Sequence, residues 1–99
     1  MDVINLYDLG NAQEVDKDFI LKEFNKGSLL LINLKEQEYP YEEHFDVEEM
    51  IIAFQGEFEL ETETSKISVP QGSMITVPKG IRHRFGSGSN GLILVAFGE

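Results

Sequence analysis

The feature that most constrains this chain is the close spacing of its glycine and proline punctuation. From Ser28 to the end of the 99-residue sequence, short apolar stretches alternate with turn residues. Residues 29–34 are bounded by Gly27 and by charged residues, residues 49–54 run to Gly56, and residues 57–63 follow. Residues 66–69 stop at Pro70-Gln71-Gly72, residues 74–77 at Pro78-Lys79-Gly80, and residues 81–85 at Gly86-Ser87-Gly88, before residues 91–97. Proline lacks the N–H that a ladder needs and glycine supplies positive φ, so each cluster ends one strand and permits the next. Many short strands cut this regularly predict an all-β sandwich or barrel. Ahead of Gly27, residues 11–25 mix charged and apolar side chains and are expected to hold one short helix. The organisation expected is one domain over residues 1–99, with an N-terminal strand or helix arm in residues 1–27 and a conserved-type barrel in residues 28–99.

Two strand patterns say more. In residues 57–63 the four glutamates fall on one face and Phe58 and Leu60 on the other, the mark of a solvated outer surface. Residues 50–54 and 92–97 are apolar on both faces and need a second cover, from another subunit or from the N-terminal segment. A chain this short buries only roughly 60–65% of its unfolded surface, so association would help it. A homodimer is therefore expected.

Charge narrows the partners. The net charge of −10 argues against nucleic acid and anionic membranes, which are held by clustered Lys and Arg. No cysteine is present, which excludes disulfides and thiolate ligands. The opening Met1-Asp2-Val3-Ile4-Asn5 lacks the basic region of a signal peptide, and residues 92–97 fall far short of the ~20 needed to span a bilayer. A cytoplasmic protein is expected. Phosphate-loop, nucleophile-elbow and calcium-loop spacings are absent from the sequence.

The two histidines, His44 and His83, each lie near a turn. In Gly72-Ser73-Met74-Ile75-Thr76-Val77-Pro78-Lys79-Gly80-Ile81-Arg82-His83, a Gly is followed by five residues, Pro-x-Gly, two residues and His. Glu49, six residues and Gly56 form a second spacing, with His44 ahead of the Glu. These stretches resemble the paired motifs of the cupin superfamily, over roughly residues 29–97. The resemblance implies a jelly-roll barrel (the cupin double-stranded β-helix, RmlC-like) and a divalent metal ion on His44, Glu49 and His83. The family's first His falls on Glu42 here, its usual Asp on Ser73 and its usual Asn on Ser87.

Chemistry supports that ligand set. Glu42 and His44 are two apart, so in an extended strand they point the same way. Two His and one carboxylate suit Fe, and also Mn, Ni or Zn, and Glu42 adds an oxygen donor. Tyr41, Ile51, Ala53, Ile81 and Phe85 are expected around a mostly apolar pocket for a small molecule. Tyr39 and Tyr41 are expected to pack at the rim, and Arg82 and Arg84 to pair with the acidic surface.

Three functions compete at this level. One is a metal-dependent enzyme, of dioxygenase or isomerase type, on a small organic molecule, with Glu42 or a bound hydroxide as the base. Another is a non-catalytic small-ligand binder, metal-free if Glu42 signals a degenerate site. The third is an accessory protein whose double-sided strands serve a partner.

Overall fold

The structure, a computed structural model, describes residues 1–98. Among the described residues the order is α1 (Leu6–Asn11), β1 (Phe19–Phe24), β2 (Gly27–Lys35), β3 (Glu48–Glu61), β4 (Lys66–Val69), β5 (Met74–Val77), β6 (Arg84–Phe85) and β7 (Asn90–Gly98). The strands pair antiparallel along the path β1-β2-β7-β3-β4, with β5 and β6 joined to β3. Among the described residues no helix is long and apolar enough to cross a membrane.

The spine is β3. Two strands broken at Gly56 are expected from the sequence, but the chain forms one strand of 14 residues. Its first half pairs with β5 and its second with β4 and β6, while β7 follows it from Glu48 to Glu57. The register against β7 slips between Ala53 and Gln55, so Phe54 is an extra residue. Such a bulge bends the strand and exchanges its faces. Glu49, Ile51 and Ala53 are buried before it, and Phe58 and Leu60 after it. That exchange explains how Glu49 points inward while Glu57 points out.

Just past the bulge, Gly56 and Gly91 face each other with φ of +79° and +129°. A Cβ on Gly91 would lie 1.9 Å from the Gln55 carbonyl oxygen, so the two backbones meet where no side chain fits. Inside the barrel, Leu30, Ile32 and Leu34 of β2 meet Ile51, Phe58 and Leu60 of β3, and Ile93 and Val95 of β7. Outside, Glu59 and Glu61 each lie 3.5 Å from Lys66, Glu61 is 2.9 Å from Arg84, and Glu63 is 3.1 Å from Arg82.

The helix lies earlier than expected. Residues 6–11 form it, with the Asn5 side chain accepting the Asp8 N–H at 3.0 Å as N-cap. Residues 19–24, within the stretch expected to hold that helix, instead form β1 along the edge of β2, Phe19 opposite Leu31. Backbone pairing with a long open edge outweighs the weak helical preference of six residues. The helix supplies part of the second cover. Gly10 packs so close to Leu92 and Leu31 that a Cβ there would lie 2.7 Å from a Leu92 methyl. Tyr7 stacks on Phe54 with centroids 4.6 Å apart. Met50, Ile52, Leu94 and Ala96 on the same side remain half-buried.

Candidate metal centre

Three stretches far apart in sequence converge at one end of the barrel. Glu49 stands on β3 and is 3% exposed; His83 lies just before β6 and is 2% exposed. Glu42 and His44 come from the connection between β2 and β3. Backbone hydrogen bonds fasten that connection to the turn before β6. The Glu42 N–H donates to the His83 carbonyl at 2.7 Å, and the His83 N–H donates to the Glu42 carbonyl at 2.9 Å. The Gly80 N–H, in a turn that needs its φ of +80°, donates to the His44 carbonyl at 2.7 Å.

The result is a cluster in which one ligand atom from each of Glu42, His44, Glu49 and His83 lies within 4.8 Å of the others. His83 Nε2 approaches Glu49 Oε1 at 2.8 Å, and His44 Nε2 lies 3.9 Å from the same oxygen and 3.7 Å from Glu42 Oε2. The Ile81 carbonyl, 2.8 Å from His83 Nδ1, can only accept. Nδ1 therefore carries a proton, and in the neutral ring the Nε2 lone pair faces the cluster, the arrangement that orients a metal-binding imidazole. His44 is held edge-on by Phe97, centroids 5.1 Å apart.

Two atoms test the fit of an ion. His44 Nε2 and Glu49 Oε1 are buried without a hydrogen-bond partner among the described residues. The 2.8 Å approach of His83 to Glu49 is close enough for an ion pair but is not aligned as a hydrogen bond. Burying such atoms unsatisfied costs about 1–3 kcal/mol each. A divalent cation among them would satisfy both, and the nitrogen and oxygen donors suit Fe, Mn, Ni or Zn.

The electrostatics are those of crowded carboxylates. Burial, and then the charge of Glu49, hold the Glu42 carboxyl above its ordinary range. Burial pulls the His83 imidazole down, but Glu49, the Ile81 carbonyl and Glu42 together hold it above its ordinary value.

A cavity of about 60 Å³ opens on the cluster, walled by Leu30, Ile32, Tyr39, Phe85 and Phe97 among others. Of the residues expected to line it from the sequence, Phe85 does. Ile51 and Ala53 share the inward face of Glu49 but lie deeper, 0% and 1% exposed within the core. Tyr41 is outside, its ring 4.1 Å and 4.4 Å from the guanidinium carbons of Arg82 and Arg84. Ile81 is 43% exposed and serves the site through its carbonyl. For Ile81 the cause is that β6 starts at Arg84, so alternation cannot be carried back through His83 to it. Tyr39 is buried, with its ring edge-on to Phe85 and its hydroxyl accepting the Lys35 N–H at 2.9 Å.

The cavity also holds Asp16 and Asp18, which sequence reasoning did not single out. They arrive on the N-terminal arm. The Asp16 N–H donates to the Asn33 carbonyl at 2.9 Å, and Asn33 Nδ2 donates to the Gln13 carbonyl at 3.2 Å. The available signal is faint: Asp tolerates the left-handed φ of +59° that Asp16 adopts better than most residues do.

No family model matches the chain, and no curated protein matches it in sequence. Solved structures do match in fold. A cupin-2 domain protein of Shewanella frigidimarina superposes with a TM-score of 0.85 at 23% identity, over 98% of this chain and 95% of its own. An RmlC-like cupin of Desulfovibrio desulfuricans gives 0.73 at 19% identity, over 99% and 91%. A Ralstonia eutropha protein described as a candidate mannose-6-phosphate isomerase gives 0.77 at 17% identity, over 100% and 99%.

Proposed function

Taking the cupin fold of this chain as the premise, we propose that it binds one divalent metal ion and acts through it on a small organic molecule. His44, Glu49 and His83 would hold the ion, with Glu42 as a fourth donor. The observation that carries this reading is the pair of buried, unpartnered donors, His44 Nε2 and Glu49 Oε1, facing the Nε2 of His83. A bound divalent ion supplies Lewis acidity and lowers the pKa of coordinated water.

The chain's own residues do the rest. Ile81 fixes the His83 tautomer through its carbonyl. Phe97 fixes the His44 ring, and Phe85 with Leu30 and Ile32 keeps the inner wall apolar. Glu42 is the most exposed of the four, and its raised pKa suits it to take up or release a proton at the cavity mouth. Among the described residues the cavity lining holds no Ser, Thr, Cys or Lys, which favours isomerisation or oxygenation at the ion over chemistry that needs a separate nucleophile. The likeness to the Ralstonia eutropha protein is one of fold and names no substrate for this chain. A homodimer formed over the half-buried face of Met50, Ile52 and Leu94 completes the proposal.

One observation favours a second reading. The 2.8 Å approach of His83 to Glu49 is also what a metal-free barrel with a buried ion pair would have, and such a barrel would bind its ligand without turnover. One experiment separates the two. Elemental analysis of untagged protein, purified without chelator, is compared with the double variant His44→Ala, His83→Ala. Near-stoichiometric metal in the first and none in the second supports the metal centre; metal in neither sinks it.

A further inference from the structure

The charges around the cavity do not balance, and the imbalance bears on what can enter. Four carboxylates line it: Glu42 and Glu49 of the cluster, and Asp16 and Asp18 of the N-terminal arm. Arg84 is the one guanidinium among the lining residues, and its charge is already engaged. Its Nε lies 2.9 Å from Glu61 Oε2, and its guanidinium carbon is 4.4 Å from the Tyr41 ring centroid. Arg82, nearby, is taken by Glu63 at 3.1 Å and Glu43 at 3.7 Å. A divalent ion would neutralise Glu42 and Glu49, leaving the two aspartates opposed by the exposed Lys17, whose charge acts on Asp16 more weakly than Asp18 does. We propose that Asp16 and Asp18 form an electrostatic filter that excludes carboxylates and phosphates, so that the ligand is an uncharged or cationic small molecule, such as a polyol or an amine. This inference rests on the metal centre proposed above.

Three observations support it. Asp16 and Asp18 line the same cavity as the four proposed ligands, so a molecule that reaches the ion meets them. Asp16 is held in place at some cost, with φ of +59° and its N–H bonded to Asn33. The field is also felt by the rim itself, because burial and then the charge of Asp18 hold the Asp16 carboxyl above its ordinary range. Size acts with charge. A cavity of about 60 Å³ admits only about four to six waters, so a small molecule enters it by one end. Like charges a few ångströms apart in such a site repel far more strongly than in bulk water.

The test uses the full chain loaded with Co(II), whose visible bands report ligands entering the coordination sphere. Azide serves as the anionic probe and imidazole as the neutral one. In the double variant Asp16→Asn, Asp18→Asn, azide is expected to bind about tenfold more tightly than in the wild type, with imidazole unchanged. Asn also tolerates positive φ, so the arm keeps its path. The variant Glu23→Gln, Glu57→Gln removes the same charge away from the cavity and is expected to shift azide affinity less than twofold. A second measurement needs no substitution: raising sodium perchlorate from 10 to 500 mM, conditions chosen to shorten the screening length, should tighten azide binding to the wild type. Equal azide affinity in wild type and cavity variant overturns the filter while leaving the metal centre standing. Failure of the wild type to take up Co(II), seen before any probe is added, removes the metal centre and the filter together.

Discussion

Glu42 and His83 lie 41 positions apart, yet two reciprocal backbone hydrogen bonds of 2.7 Å and 2.9 Å lock them side by side. The position of residue 42 is therefore set by the backbone rather than by the side chain it carries. Replacing Glu42 with His should place an imidazole in the same cluster and convert a donor set of two nitrogens and two oxygens into three and one. Glu42→His is expected to bind Ni(II) or Zn(II) about tenfold more tightly, and Glu42→Ala about tenfold more weakly, in competition with a chromogenic chelator. Identical affinity in all three proteins would remove Glu42 from the ligand set.

The raised pKa of His83 gives metal-free and metal-loaded protein opposite pH dependences. In the metal-free protein, the pairing of protonated His83 with Glu49 contributes fully below its ordinary value of 6.5 and is lost as pH rises through the higher folded value. A metal ion needs the neutral ring, so its affinity climbs over that same window. Melting curves from pH 6 upward should therefore diverge, the metal-free midpoint falling and the metal-induced increment growing. Parallel curves would count against His83 as a ligand.

Where β3 crosses β7, Gly91→Ala would place a methyl 1.9 Å from a backbone oxygen at a φ of +129°. Neither can relax without moving the strands, and a loss of about 3 kcal/mol is expected in urea denaturation. Gly98→Ala, with nothing within 4 Å of its Cβ, is the control and should lie within about 0.5 kcal/mol of wild type.

The outer face of Ile52 and Leu94 is half-covered, and its neighbour Met74 is 57% exposed. If a second copy covers it, light scattering will give twice the chain mass at micromolar concentration, and Ile52→Glu will halve that mass while circular dichroism stays unchanged. A wild type that remains monomeric refutes the pairing.

The strands were legible because proline and glycine act locally. Residues 66–69 and 74–77 coincide with β4 and β5, each ended by a Pro that the sequence displays. The His/Glu cluster was legible for a related reason, since the turn from Pro78 to Gly80 and the spacing from Glu49 to Gly56 are short-range patterns. What stayed hidden depends on partners remote in sequence. Lys22 and Glu23 look helical until the edge of β2 is present to pair with them. Phe54 reads as an ordinary strand residue, and only the register against β7 makes it a bulge. Asp16 and Asp18 reach the cavity because Asn33 clips the arm across the barrel, a contact that no local spacing announces. The helix is the exception: Asn5, whose side chain accepts the Asp8 N–H, is a local start signal that the sequence displays ahead of residues 11–25.

Glu49 and Leu60 stand on one strand, so although the Phe54 bulge bends it, the end that carries the His/Glu cluster is continuous in backbone with the far end of the barrel. The amide of Glu49 should exchange its hydrogen with solvent only when the entire barrel opens, at the same rate as the amide of Leu60. A strand shared in this way predicts that heat or denaturant meets one cooperative unit rather than two.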